Sequence, residues 1–180
     1  DGRLVLPGGM SYRALILSGS PVMTPALLAK VVALVKNGAT VVGPRPDRSP
    51  SLTGYPGCDD EVRRLADELW ADCDGKAVKE HRLGQGRVVW GETPEEVLAG
   101  SGVAPDFAGP AGWRYIHRIE GETDIYFVSN QESYPVTAAA AFRVAGKVPE
   151  LWHPETGRFE RAAAFRQNGN VTDVVLPLGP

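Results

Sequence analysis

The chain has 180 residues, 43% hydrophobic and 23% charged, with a net charge of −3. That supplies apolar residues for one ordinary core or two small ones and excludes the basic footprint of a nucleic-acid binder. No apolar run approaches the roughly 18 residues of a transmembrane helix, and Asp1-Gly2-Arg3-Leu4 has no basic, apolar targeting pattern, so neither a membrane span nor a signal peptide is expected.

The first two-thirds alternates strand and helix signals. Tyr12 to Leu17 reads as a buried strand, followed by the loop Ser18 to Pro21. Thr24-Pro25 starts a helix, with Thr as N-cap and Pro at the first helical position. Leu27, Leu28, Val31, Val32, Leu34 and Val35 then recur at helical spacing, and Asn37-Gly38 closes the helix. Ala39 to Gly43 is a second buried strand. A strand–helix–strand unit of this kind closes as a right-handed parallel crossover.

A loop rich in Pro, Ser and Gly runs from Pro44 to Gly57. Asp59 or Asp60 opens a second helix through Val62, Leu65, Ala66, Leu69 and Trp70. Gly86 to Gly91 predicts a third strand. Thr93-Pro94-Glu95-Glu96 has capping-box chemistry and starts a third helix through Val97 and Leu98. The two cysteines, Cys58 and Cys73, flank the second helix. Fifteen helical residues would hold them about 22 Å apart, so both are expected as free thiols.

From Trp113 the pattern changes. Trp113 to Ile119, a turn at Glu120 to Glu122, and Asp124 to Val128 predict a hairpin. Strands are expected at Ala139 to Val144, Leu151-Trp152, Arg158 to Gln167 and Thr172 to Leu178, with turns at sandwich-like spacing. The boundary between an α/β part and an all-β part falls near 130–138.

Familiar chemical motifs are absent. Neither cysteine sits at a strand–helix elbow, and G-x-S-x-G does not occur. Ser18 and Ser20 read as loop caps. His81, His117 and His153 have no ligand spacing, so no metal is expected, and His117 reads as a structural residue of the hairpin. Gly84-Gln85-Gly86 precedes a strand instead of joining a strand to a helix, so it is no dinucleotide fingerprint. No cofactor is expected. Asn170-Val171-Thr172 is a formal glycosylation sequon.

Two other segments are distinctive: Pro149-Glu150-Leu151-Trp152-His153-Pro154-Glu155-Thr156-Gly157 and Asp124-Ile125-Tyr126-Phe127-Val128-Ser129-Asn130. They are joined, in order, by Met10 to Arg13, Met23-Thr24-Pro25, Gly38 to Pro44, Ser49 to Leu52, Gly54-Tyr55-Pro56, Cys58-Asp59, His117-Arg118 and Phe142-Arg143. Together these resemble the large bacterial glycoside hydrolases related to α-L-rhamnosidases of family 106, over nearly the whole chain. One departure stands at His153, where the family pattern favours Asp.

The resemblance implies a multidomain enzyme whose catalytic barrel lies upstream, so none of the barrel's carboxylates is carried over to this chain. It implies an α/β fold: a glutamine-amidotransferase-like parallel sheet with flanking helices over 1–134, then part of a β-sandwich over 135–180. The implied partners are a carbohydrate substrate and the parent barrel or a second copy. Enzymes of this kind are often exported.

Glycoside hydrolysis needs two carboxylates at a defined separation, one of them a partly buried acid. Chemistry in an open α/β sheet sits at the carboxyl ends of its strands. Glu92 follows the third strand and Asp47, beside Arg45, follows the second, so Glu92 and Asp47 are the candidate catalytic pair and Arg45 a substrate contact. The plainer reading makes Glu92 a helix-start residue and Asp47 a solvated loop residue. Glu150 and Glu155 are read as holding a turn around Trp152. Trp90, Trp113, Tyr115 and Trp152 have faces that could stack on sugar rings, with Trp90 and Trp152 the candidate substrate contacts, although tryptophans more often build core. Two functions follow: a non-catalytic module of a rhamnosidase-like enzyme, or a small glycosidase using the Asp47–Glu92 pair.

Overall fold

The computed structural model describes residues 2–180. Asp1, which opens the stretch read for a targeting signal, lies outside them. The chain divides into two compact units, Asp1–Gly102 and Val103–Pro180.

The first unit contains a short antiparallel ribbon of β1 (Leu4–Val5) and β2 (Ser11–Tyr12). There follow β3 (Ala14–Ile16), α1 (Pro25–Lys36), β4 (Thr40–Val42), α2 (Gly57–Trp70), β5 (Glu80–Leu83), β6 (Gly86–Val89) and α3 (Pro94–Gly100). The sheet order is β3-β4-β6-β5. β3, β4 and β6 run parallel, while β5 is antiparallel to β6, so the sheet is mixed. The fold is mixed α/β. β5 was not legible beforehand: Glu80-His81-Arg82-Leu83 has no apolar alternation, and it is held at the edge by pairing with β6.

Local chemistry explains the helices. The Leu27 N–H donates to Thr24 Oγ1 at 3.3 Å at the start of α1. At α3 the capping box is reciprocal: Glu96 N–H donates to Thr93 Oγ1, and Thr93 N–H donates to Glu96 Oε2. Helix α2 begins at Gly57, slightly ahead of the expected Asp59 or Asp60. Leu28, Val31, Val32 and Val35 of α1 bury against Val62, Leu65, Leu69 and Trp70 of α2 and against Val41 and Val88 of the sheet. Burying each such aliphatic side chain is worth about 1.5–3 kcal/mol. Trp70 is fully enclosed, and its indole N–H donates to the Gly43 carbonyl at 3.1 Å. Cys58 and Cys73 are free and buried, and burial pushes the Cys73 thiol up.

The second unit is all-β: β7 (Phe107–Ala108), β8 (Trp113–Glu120), β9 (Thr123–Asn130), β10 (Val136–Phe142), β11 (Glu150–His153), β12 (Arg158–Arg161), β13 (Phe165–Asn168) and β14 (Val171–Leu178). An antiparallel sheet is ordered β13-β14-β10-β7, and β8–β9 and β11–β12 form separate hairpins. The single strand expected over Arg158 to Gln167 is two, β12 and β13, which pair with different partners.

The compact units part at Gly102/Val103 and not at the expected 134/135. The reason is side-chain packing. Trp113 of β8 and Val128 of β9 share one core with Ala140, Phe142, Leu151, Val174 and Leu176. The hairpin therefore belongs with the strands that follow it, not with the α/β sheet before it.

Candidate functional site: a cleft in the all-β unit

The β8–β9 register pairs His117 with Tyr126 and Ile119 with Asp124. Side chains on a strand alternate between faces, so His117, Asp124 and Tyr126 project from one face of the hairpin. His117 Nδ1 lies 2.9 Å from Asp106 Oδ2, and Nε2 lies 2.9 Å from Asp124 Oδ1. While both carboxylates are ionised, each ring nitrogen can meet its partner only as a donor, so the doubly protonated ring satisfies both.

Two further cations close the cluster. Arg143 donates to Asp106 Oδ1 at 3.0 Å, and Lys147 donates to Asp124 Oδ2 and to the Glu122 carbonyl. The Tyr126 hydroxyl donates to Asp106 Oδ1 at 3.2 Å. The Lys147 hydrogen bond, helped by His117, holds the Asp124 carboxyl below the usual carboxylate range against the opposing effect of burial. Burial, then the charge of Asp106, pushes the Tyr126 phenol well above its ordinary value. The cluster thus holds an ionised Asp124 and a protonated Tyr126. Neither is poised as a general acid near neutral pH.

Asp124, Tyr126 and Lys147 are among the residues that line a cleft of about 500 Å³. Phe142, Val174 and Leu176 give it apolar lining, and Glu150 and Trp152 of β11 line it too. Trp152 is 71% exposed and sits opposite Phe159 in the β11–β12 register. Its indole N–H makes a long hydrogen bond, 3.4 Å, to Glu150 Oε2. Glu150 thus braces the indole itself. The following turn is closed by Gly157 N–H donating to the His153 carbonyl at 2.8 Å.

The other expected site residues lie in the first unit. Asp47 follows β4 and Glu92 follows β6, so both come after the carboxyl ends of neighbouring parallel strands, at the same end of the sheet. Both are exposed, which is not the partly buried setting of a glycosidase acid. The Asp47 side chain is 3.8 Å from Arg48, and Arg45 is committed to Asp67 at 2.5 Å. Trp90 packs against the first unit's core and close over Gly75, where an added Cβ would sit 2.7 Å from its ring. A sugar has no access to that ring face. Trp113 is buried among the second unit's apolar residues, and Tyr115 lies 4.8 Å from Phe107 between ring centroids. Of the residues read as possible sugar contacts, the cleft contains Trp152, and Glu150, read as a turn residue, lines it as well. Asp124 and Arg143 stand in the sequence only as members of family-like motifs, and Asp106 and Lys147 carry no motif at all. The usable signal was the alternation that sets Asp124, Tyr126 and His117 on one face.

A family model described as alpha-L-rhamnosidase, glycoside hydrolase family 106, matches residues 1–167. The chain belongs to this family. Both distinctive segments, 124–130 and 149–157, lie within the match. A solved rhamnosidase from Novosphingobium sp. PP1Y is 40% identical, with a TM-score of 0.83 over 99% of this chain and 17% of that one. A curated protein from Formosa agariphila, provisionally named beta-glucuronidase, is 35% identical over 185 residues. That alignment covers 99% of this chain and 15% of the relative. The family 106 chain described here therefore spans less than a fifth of the length of either relative.

Proposed function

We propose that this family 106 chain acts as a non-catalytic structural and interaction module of an α-L-rhamnosidase-like glycoside hydrolase that acts on a carbohydrate substrate. Its first unit is a glutamine-amidotransferase-like α/β domain in this reading, and its second is part of a β-sandwich. The partner is the catalytic barrel of such an enzyme, with a second copy of the chain as the competing occupant of the same face.

One observation carries the reading. On the face of the β8–β9 hairpin opposite His117 and Tyr126, Ile116 (59% exposed) pairs with Phe127 (56% exposed), and Ile125 is exposed beside them. Arg114 and Arg118 stand on the same face. A contiguous apolar patch with a charged rim is the mark of a protein contact. Complete burial of such a side chain is worth about 1.5–3 kcal/mol, and roughly half of that is still to be gained here.

The test is hydrolysis of a panel of p-nitrophenyl glycosides, including the α-L-rhamnoside, by the purified chain, together with sedimentation of the chain and of Phe127→Asp. No turnover, and self-association that Phe127→Asp abolishes, are expected. Turnover that survives repurification and falls at least about 100-fold in Glu92→Gln or Asp47→Asn would instead make the chain a small glycosidase.

A further inference from the structure

We propose that the cleft beside Trp152 is a non-catalytic binding site for a neutral pyranoside unit of a glycan. The proposal rests on the glycoside hydrolase reading above and adds a ligand and a specificity to it.

A large ring left open to solvent is the first ground. Trp152 is 71% exposed and its cross-strand neighbour Phe159 is 70% exposed, with 6.4 Å between ring centroids. Tryptophan is ordinarily well buried in a folded chain, so an exposed indole that lines a cleft points to a ligand that covers it. The indole N–H is turned to Glu150 at 3.4 Å, and its π-face is left as the contact surface. A pyranose has one face of C–H groups that buries against such a ring.

The second ground is the polarity of the cleft. At about 500 Å³ it falls within the range of small-molecule sites, and such sites combine an apolar lining with a few placed polar groups. Here the apolar lining is accompanied by Glu122, Asp124, Lys147 and Glu150. The Asp124 carboxylate is anchored by His117 and Lys147, so it keeps its place when the cleft is empty. Each carboxylate oxygen has a second lone pair for a sugar hydroxyl, and this matches the edge of a pyranose, which presents donors. A purely apolar occupant would strip water from these charged groups without adding a hydrogen bond to them.

The third ground is charge. Lys147 is paired with Asp124, which leaves Glu122 and Glu150 as the uncompensated charges among these four lining groups. A sugar carrying its own carboxylate would meet them as like charges, so the site takes neutral pyranosides and disfavours uronates.

The experiment follows the indole N–H signals of the four tryptophans in the full chain by NMR, with Trp152 assigned from Trp152→Phe. The probes are methyl α-L-rhamnopyranoside, methyl β-D-glucopyranoside and methyl β-D-glucuronide. A neutral probe should shift the Trp152 signal saturably. Its affinity should fall at least about tenfold in Trp152→Ala and be largely kept in Trp152→Phe, as expected for loss or retention of a stacking face. The glucuronide should bind more weakly than its neutral counterpart and recover in Glu150→Gln. Because Trp152 is exposed, both tryptophan variants should fold, which near-UV circular dichroism checks.

No neutral probe shifting Trp152 would overturn the proposal and leave the cleft to a polypeptide segment. Binding that persists undiminished in Trp152→Ala would overturn it by placing the sugar elsewhere. Equal affinity for the glucuronide would overturn the charge selection. Turnover in the glycoside panel would sink the non-catalytic reading alone, and an unresponsive cleft would sink this one alone.

Discussion

The His117 imidazole lies flat on the Tyr126 phenol, with 4.0 Å between ring centroids and 10° between ring planes. The two ring nitrogens of the stacked imidazole each lie 2.9 Å from a carboxylate oxygen, one of Asp106 and one of Asp124. Asp106 precedes β7 and Asp124 is the second residue of β9, so one side chain joins separate segments of the second unit. His117→Phe would keep the stack and remove both charge-assisted bonds. About 2–4 kcal/mol of stability should be lost from the second unit, since a hydrogen bond to a charged group is worth roughly 1.5–3 kcal/mol and both carboxylates remain partly buried. Urea unfolding followed by near-UV circular dichroism measures it. A change within about 0.5 kcal/mol, the range of neutral surface substitutions, would show that the cluster holds nothing together.

Asp124 gives the second unit an acid limit. Its carboxyl is held below the ordinary value of about 3.9 by Lys147, so its folded form binds its proton less readily than the unfolded form. The resulting stability is fully present above that ordinary value and is lost as pH falls through the depressed one. Lys147→Met should weaken this acid-side dependence while leaving its sign unchanged. Thermal unfolding of both proteins between pH 2 and about 6 should therefore show a smaller drop in the variant.

Tyr126 should lag in alkaline titration. Burial and the Asp106 charge raise its phenol, so the folded state retains that proton above the ordinary phenol value of about 10. Stability from this source is present below that value and is lost as pH rises toward the raised one. Absorbance of the five tyrosines near 295 nm should rise with one delayed step, and Tyr126→Phe should remove that step.

Gly86 should not tolerate a side chain. A Cβ there would sit 2.3 Å from both the Ala39 and Val35 carbonyl oxygens, where the end of α1 meets the start of β6. Gly86→Ala must separate helix from strand, at a cost of order 1–3 kcal/mol. At Gly100, where an added Cβ meets nothing within 4 Å, Gly→Ala should be neutral or slightly stabilising. Equal melting temperatures for the two variants would contradict this difference.

The sequence by itself determined the elements whose signals are local. Thr24-Pro25 and the Thr93-to-Glu96 box place helix starts through their own hydrogen bonds, and the alternation from Trp113 to Val128 makes a hairpin wherever the chain folds. It also determined the family, because an ordered series of short motifs survives without any knowledge of contacts. Only the tertiary structure decided that β5 joins the sheet antiparallel, that the hairpin belongs to the second unit, and that Asp106, Asp124, Arg143 and Lys147 meet around His117. It also separated Trp152, open at the cleft, from Trp90, packed over Gly75. Pairing, burial and charge contacts depend on segments far apart in sequence, and no local periodicity encodes which of them will touch.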